Sequence, residues 1–178
     1  AEQMLGRFYF LGLYLLAGLM GSLFSGYINI QDTITLLNAT TFDPTLLPRV
    51  SAGASGAVMG LGAALTMLSL LPVLPHQLFI LDKKTLVITL GINLAIGFSV
   101  SGINNAAHIG GMMMGAYLAL VWYAAQRWQK PVLSYVLGLG GGAIGCALLY
   151  RYHLQLVGQI APAWQELLNS MKEHARLS

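Results

Sequence analysis

Charge is what this chain has least of. Lysine, arginine, aspartate and glutamate together make up 8% of its 178 residues, against about 25% in an average soluble domain. So few charges cannot coat a globule of this size, so an ordinary water-soluble fold is excluded. A single cysteine, Cys146, excludes an internal disulfide. Nine basic residues against six acidic give a net charge of +3. They form no run and no basic–aromatic alternation, so nucleic acid is not an expected partner. His76, His153 and His174 fall in segments that read as loops or tail, without metal-ligand spacing, so no metal is expected. Met112–Met114 point in three directions on a helix and read as adaptable packing. No basic leader followed by an apolar core and cleavage site is present, so the start is not a signal peptide. The chain opens Ala1-Glu2-Gln3 without an initiator methionine and reads as the interior of a longer protein.

What the chain has in quantity is apolar length. Hydrophobic residues make up 56%, and the mean hydropathy is +0.68. Crossing a bilayer as a helix takes about 20 mainly apolar residues. Five stretches approach this: Phe8 to Ile28, Ser51 to Leu74, Thr85 to Ser101, Ala106 to Trp128, and Val132 to Tyr150. The third has room to begin earlier, because Leu78 to Leu81 is also apolar. The expected fold is all-α, a polytopic transmembrane helical bundle of about five spans. Residues 1–152 form its membrane domain, including a C-terminal span at 132–150. Residues 153–178 form a tail in which Trp164, Leu167, Leu168, Met171 and Ala175 make one apolar helical face after Pro162. Asn29 to Arg49, with Asp32, Asp43, Pro44 and Pro48, reads as a substantial loop. Asn93, in mid-span, is expected to hydrogen-bond a neighbour.

Basic residues set the orientation. Arg7, Lys83, Lys84, Arg127 and Lys130 fall on one face of an alternating chain, which the positive-inside rule makes cytoplasmic. The second and fourth spans then both start on the opposite face. Ser55 lies at the start of one and His108 at the start of the other, at matching depth. Serine becomes a nucleophile when a base takes its proton, and neutral histidine is the usual base. No carboxylate accompanies them, so the expected unit is a dyad. The first turn of a helix has unpaired N–H groups to meet an oxyanion, and Gly53 and Gly56 let the backbone there bend and be approached. Gly56 and Gly60, like Gly111 and Gly115, are four apart, the ordinary spacing for close helix packing in membranes. Asn104 and Asn105 precede His108 and read as helix caps or substrate contacts.

Gly53-Ala54-Ser55-Gly56 and Ala107-His108-Ile109-Gly110-Gly111-Met112-Met113-Met114-Gly115 resemble the GxSG and AHxxGxxxG motifs of the rhomboid family of intramembrane serine proteases. The resemblance covers roughly the first two thirds of the chain. It implies that the five spans match helices three to seven of a seven-helix rhomboid, with Ser55 as nucleophile and His108 as general base. It implies transmembrane protein substrates within the lipid bilayer, cut without a metal or organic cofactor. It also implies a multi-pass protein of the bacterial inner (plasma) membrane, with the site opening to the extracytoplasmic side. Two earlier helices of the same protein would complete it, the second supplying a histidine and an asparagine near the oxyanion. Where some rhomboids pack a tyrosine on the histidine one turn after the serine, this chain has Met59. The rival readings are a catalytically silent rhomboid-like protein that binds transmembrane helices, and a transporter or assembly subunit.

Overall fold

Helices follow the apolar stretches, and two of them, α2 and α6, run on past the polar residues that bound those stretches. The computed structural model describes residues 1–38, 54–74, 80–100 and 104–177, and among these no strand occurs. Helix α1 (Glu2–Leu5) stops at Gly6, whose φ of 81° suits glycine and turns the chain into α2 (Arg7–Asn38). Then come α3 (Ser55–Leu70), α4 (Lys83–Ser99) and α5 (Asn105–Arg127). A seven-residue π-helical stretch, Ser134–Gly140, leads into α6 (Gly141–Leu177).

Among the described residues one helix, α2, is long and apolar enough to cross a membrane, and α3 is apolar but only 16 residues long. Side chains facing outward are largely apolar, including Phe8, Leu11 and Leu15 of α2 and Ile88, Ile92 and Ile96 of α4.

Three sequence expectations are corrected here. Helix α2 does not give way to loop at Asn29 but continues to Asn38. Its 27–38 stretch has no glycine or proline, and its threonines satisfy themselves within the helix. Thr33 Oγ1 donates to the Asn29 carbonyl at 2.8 Å and Thr35 Oγ1 to that of Gln31 at 2.9 Å. The last expected span and the separate tail helix are one 37-residue helix, α6. The division at 152/153 falls inside it, and Pro162 removes one backbone donor without ending it. The side chains of Leu167, Leu168, Met171 and Ala175 lie outside the described residues, as does the whole stretch from 39 to 53. His153, expected in loop or tail, is buried on α6 beside α2, its ring 6.5 Å from that of Tyr27. Helix α4, the third expected span, begins at Lys83, where the Asp82 carboxylate accepts from Lys84 N–H at 3.0 Å and from Thr85 Oγ1 at 2.6 Å.

Helices α2, α3 and α5 form the centre. Leu13, Ala17, Ala64, Leu118 and Ala119 are fully buried there. Tyr9 Oη donates to the Leu118 carbonyl at 2.8 Å across 109 residues of sequence, and its ring meets the edge of Tyr135 at 5.7 Å. Tyr117 Oη donates to the Leu137 carbonyl at 2.6 Å, tying the π-helical stretch to α5. A largely apolar cavity of about 370 Å³ lies between α2, α5 and the start of α6, lined by Met20, Phe24, Met113, Met114 and Tyr117.

Candidate active site

The site grows out of backbone-to-backbone contact between α3 and α5. A Cβ on Gly111 would strike the Gly56 carbonyl oxygen, and one on Gly115 would strike that of Gly60. The constant register shows that the two helices run in parallel, with the start of α3 level with the second turn of α5. Helix α2 runs antiparallel into the same seam. A Cβ on Gly21 would lie 2.6 Å from the Ala107 oxygen and 3.4 Å from Gly56 Cα, and one on Gly60 would meet Ala17 Cβ. No side chain larger than hydrogen fits at these crossings, which is what small residues four apart accomplish in membrane helices.

That register brings the starts of the two helices together. Ser55 is the first residue of α3 and is exposed. Ala54 precedes it as N-cap without a side-chain hydrogen bond. The first intrahelical bond there is Val58 N–H to the Ala54 carbonyl at 3.0 Å. The N–H groups of Ser55, Gly56 and Ala57 therefore have no intrahelical acceptor, and a helix start carries partial positive charge. Gly53 lies outside the described residues. Gly56 is buried, with its Cβ position 3.0 Å from the Ala107 oxygen, so residues 55–56 and 107–108 adjoin. In this register Gly110 is level with Ser55, and His108 lies two residues, about 3 Å of rise, toward the helix start. Met59, one turn after Ser55, is buried.

Asn104 fixes the start of α5. Its Oδ1 accepts from Ala107 N–H at 3.0 Å, and its Nδ2 donates to Ser25 Oγ of α2 in a short hydrogen bond. One side chain thus caps α5 and tethers it to α2. Asn105 begins the helix proper and turns a buried Oδ1 toward Gly97 of α4, in the place that a Cβ there would take. His108 is 8% exposed, and its Nδ1 lies 3.4 Å from that same Cβ position. Among the described residues no hydrogen bond links Ser55 to His108. Catalytic hydrogen bonds are often long without substrate and tighten when it binds.

Sequence reasoning passed over Ser25, Gly97, Ala17 and Gly21. Ala17, Gly21 and Ser25 are spaced four apart on α2, the same signal that was read in α3 and α5. Gly97 gives no such signal, because its role depends on which side chains α5 sends toward it. Among the described residues no three of histidine, cysteine, aspartate and glutamate converge as a metal site.

The model of the Rhomboid domain matches residues 1–125. Rhomboid protease AarA of Providencia stuartii is 31% identical over 130 residues, 68% of this chain and 45% of that protein. Rhomboid protease GluP of Bacillus subtilis (strain 168) is 35% identical over 168 residues, 93% of this chain and 27% of that protein. The chain thus spans less than half the length of either curated relative. No solved structure matches it.

Proposed function

The chain belongs to the rhomboid family, an integral membrane family, and from that premise we propose that it carries the Ser55–His108 dyad of an intramembrane serine endopeptidase. Ser55 Oγ attacks the carbonyl carbon of a peptide bond in a membrane-anchored protein while His108 takes the hydroxyl proton. The carbonyl oxygen becomes an oxyanion against the free N–H groups that begin α3. His108 then gives its proton to the leaving amine, and the acyl group stays on Ser55. Water, deprotonated by His108, releases it as a carboxylic acid and restores the serine. The substrates are transmembrane proteins, and the site opens on the extracytoplasmic side of a bacterial inner membrane, opposite Lys83 and Lys84.

The observation that carries this reading is the glycine contact between α3 and α5. It supports a serine at one helix start and a histidine in the first turn of another lying within about 3 Å of the same level. It makes the buried His108 useful where a lone buried histidine would be a cost. A fluorophosphonate probe applied to the intact protein in membranes tests it. The expected result is covalent labelling at Ser55, absent in Ser55→Ala and much slowed in His108→Ala. Equal labelling of the wild type and Ser55→Ala would refute the nucleophile. No labelling of folded wild type would favour the catalytically silent helix-binding protein.

A further inference from the structure

The dyad leaves one atom of His108 unexplained. A histidine that accepts a proton at Nε2 must carry its other proton on Nδ1, and that N–H needs an acceptor to fix tautomer and ring orientation. His108 Nδ1 is buried and has no hydrogen-bond partner among the described residues. Asn105 Oδ1, one helical turn earlier on α5, is likewise buried and unpaired. Residues three apart share a helix face, and both atoms crowd the same spot, the Cβ position of Gly97. One is a donor without an acceptor and the other an acceptor without a donor. Buried polar atoms seldom stay unpaired. Asn104, next in sequence, is already committed to the Ala107 N–H and to Ser25.

We propose that Asn105 is a positioning residue for His108, its Oδ1 accepting the Nδ1–H directly or through one bridging water. Gly97 leaves the room for this pairing. The inference rests on the Ser55–His108 reading and supplies its missing third member with an amide in place of a carboxylate. An amide holds the ring without adding a second buried charge, which a low-dielectric site would penalise.

The test is cleavage of a membrane-anchored substrate by the intact protein, with kcat and KM measured across pH for Asn105→Leu and Asn105→Asp. Asn105→Leu keeps the volume and removes the acceptor. Its kcat is expected to fall about 10–100-fold, the scale seen when a metal-bound histidine loses its outer partner, with KM unchanged. Asn105→Asp keeps an acceptor and adds negative charge beside the imidazole. Its activity is expected to persist, with the acidic limb of kcat moved to higher pH. Wild-type kcat and pH limb in folded Asn105→Leu would overturn the proposal, as would a rise in KM alone, which marks a substrate contact. If Asn105→Leu does not fold, an unmoved acidic limb in Asn105→Asp overturns it instead. Ser55→Ala and His108→Ala run alongside. If both are inactive while Asn105→Leu matches wild type, the positioning role alone falls. If either stays active, the dyad falls and this inference with it.

Discussion

At the scale of single residues, the account depends on hydrogen atoms where side chains usually are. Gly111→Ala puts a methyl group into the Gly56 carbonyl, a backbone atom that cannot swing aside. The expected loss is about 1–3 kcal/mol of stability from overpacking. Activity should fall further, since about 1 Å of displacement between Ser55 and His108 can cost 10²-fold. Thermal unfolding in detergent and cleavage rate, measured together, check this. Gly91→Ala is the control: nothing lies within 4 Å of its Cβ position, and both readouts should stay near wild type. The four-residue spacing of Gly56, Gly60, Gly111 and Gly115 was legible in sequence because packing of this kind depends on small size alone. Gly97 was not legible. Its need to be glycine comes from Asn105, which reaches it from another helix.

At the scale of elements, helix starts are set by side chains that accept from backbone. Asn104→Ala removes the cap of α5, worth about 1 kcal/mol, and also the tether to Ser25. Asn104→Asp keeps a cap acceptor and loses the tether donor. The expected order of activity is wild type, then Asp, then Ala, and a double-mutant cycle of Asn104→Ala with Ser25→Ala should show coupling. Equal losses in all backgrounds would deny the tether. The cap of α4 is sensitive to acid. The hydrogen bond from Thr85, then that from Lys84 N–H, lowers the Asp82 carboxyl below its ordinary value. A lowered folded-state value means the cap contributes fully above the unfolded carboxylate range and is lost as pH falls through the folded value. The protection factors of the Lys83–Thr85 amides, taken against the intrinsic exchange rate at the same pH, should therefore fall in acid and in Asp82→Ala at neutral pH. The sequence marked the helices well and their ends poorly. Asp32 and the other polar residues from Asn29 to Asn38 read as loop, yet they sit on α2, where two threonines bond to their own turns. Pro162 read as a boundary, yet one missing donor does not stop a helix with 21 helical residues before it.

At the scale of the whole molecule, α3 and α5 run one way and α2 and α4 the other. That alternation fits a multi-pass membrane protein with Ser55 and His108 at one end and Asp82 to Lys84 at the other. Single cysteines replacing Thr40 and Lys83, in a Cys146→Ser background, are expected to differ in intact cells: an impermeant maleimide should label position 40 and spare position 83. The reverse pattern would turn the molecule over and move the dyad to the cytoplasmic side. The alternation was legible because basic residues recur between alternate spans. The buried setting of His153 beside Tyr27 was not, since the length of α6 decides it. The central claim is that Ser55 and His108 act as one unit, and the most direct measurement is the cleavage rate of a membrane-anchored substrate by Ser55→Ala, His108→Ala and the double mutant of the intact protein. Groups that act together lose activity non-additively. The account predicts that each single mutant loses nearly all activity and the double is little worse. Losses that multiply, or cleavage near the wild-type rate in either single mutant, would contradict it.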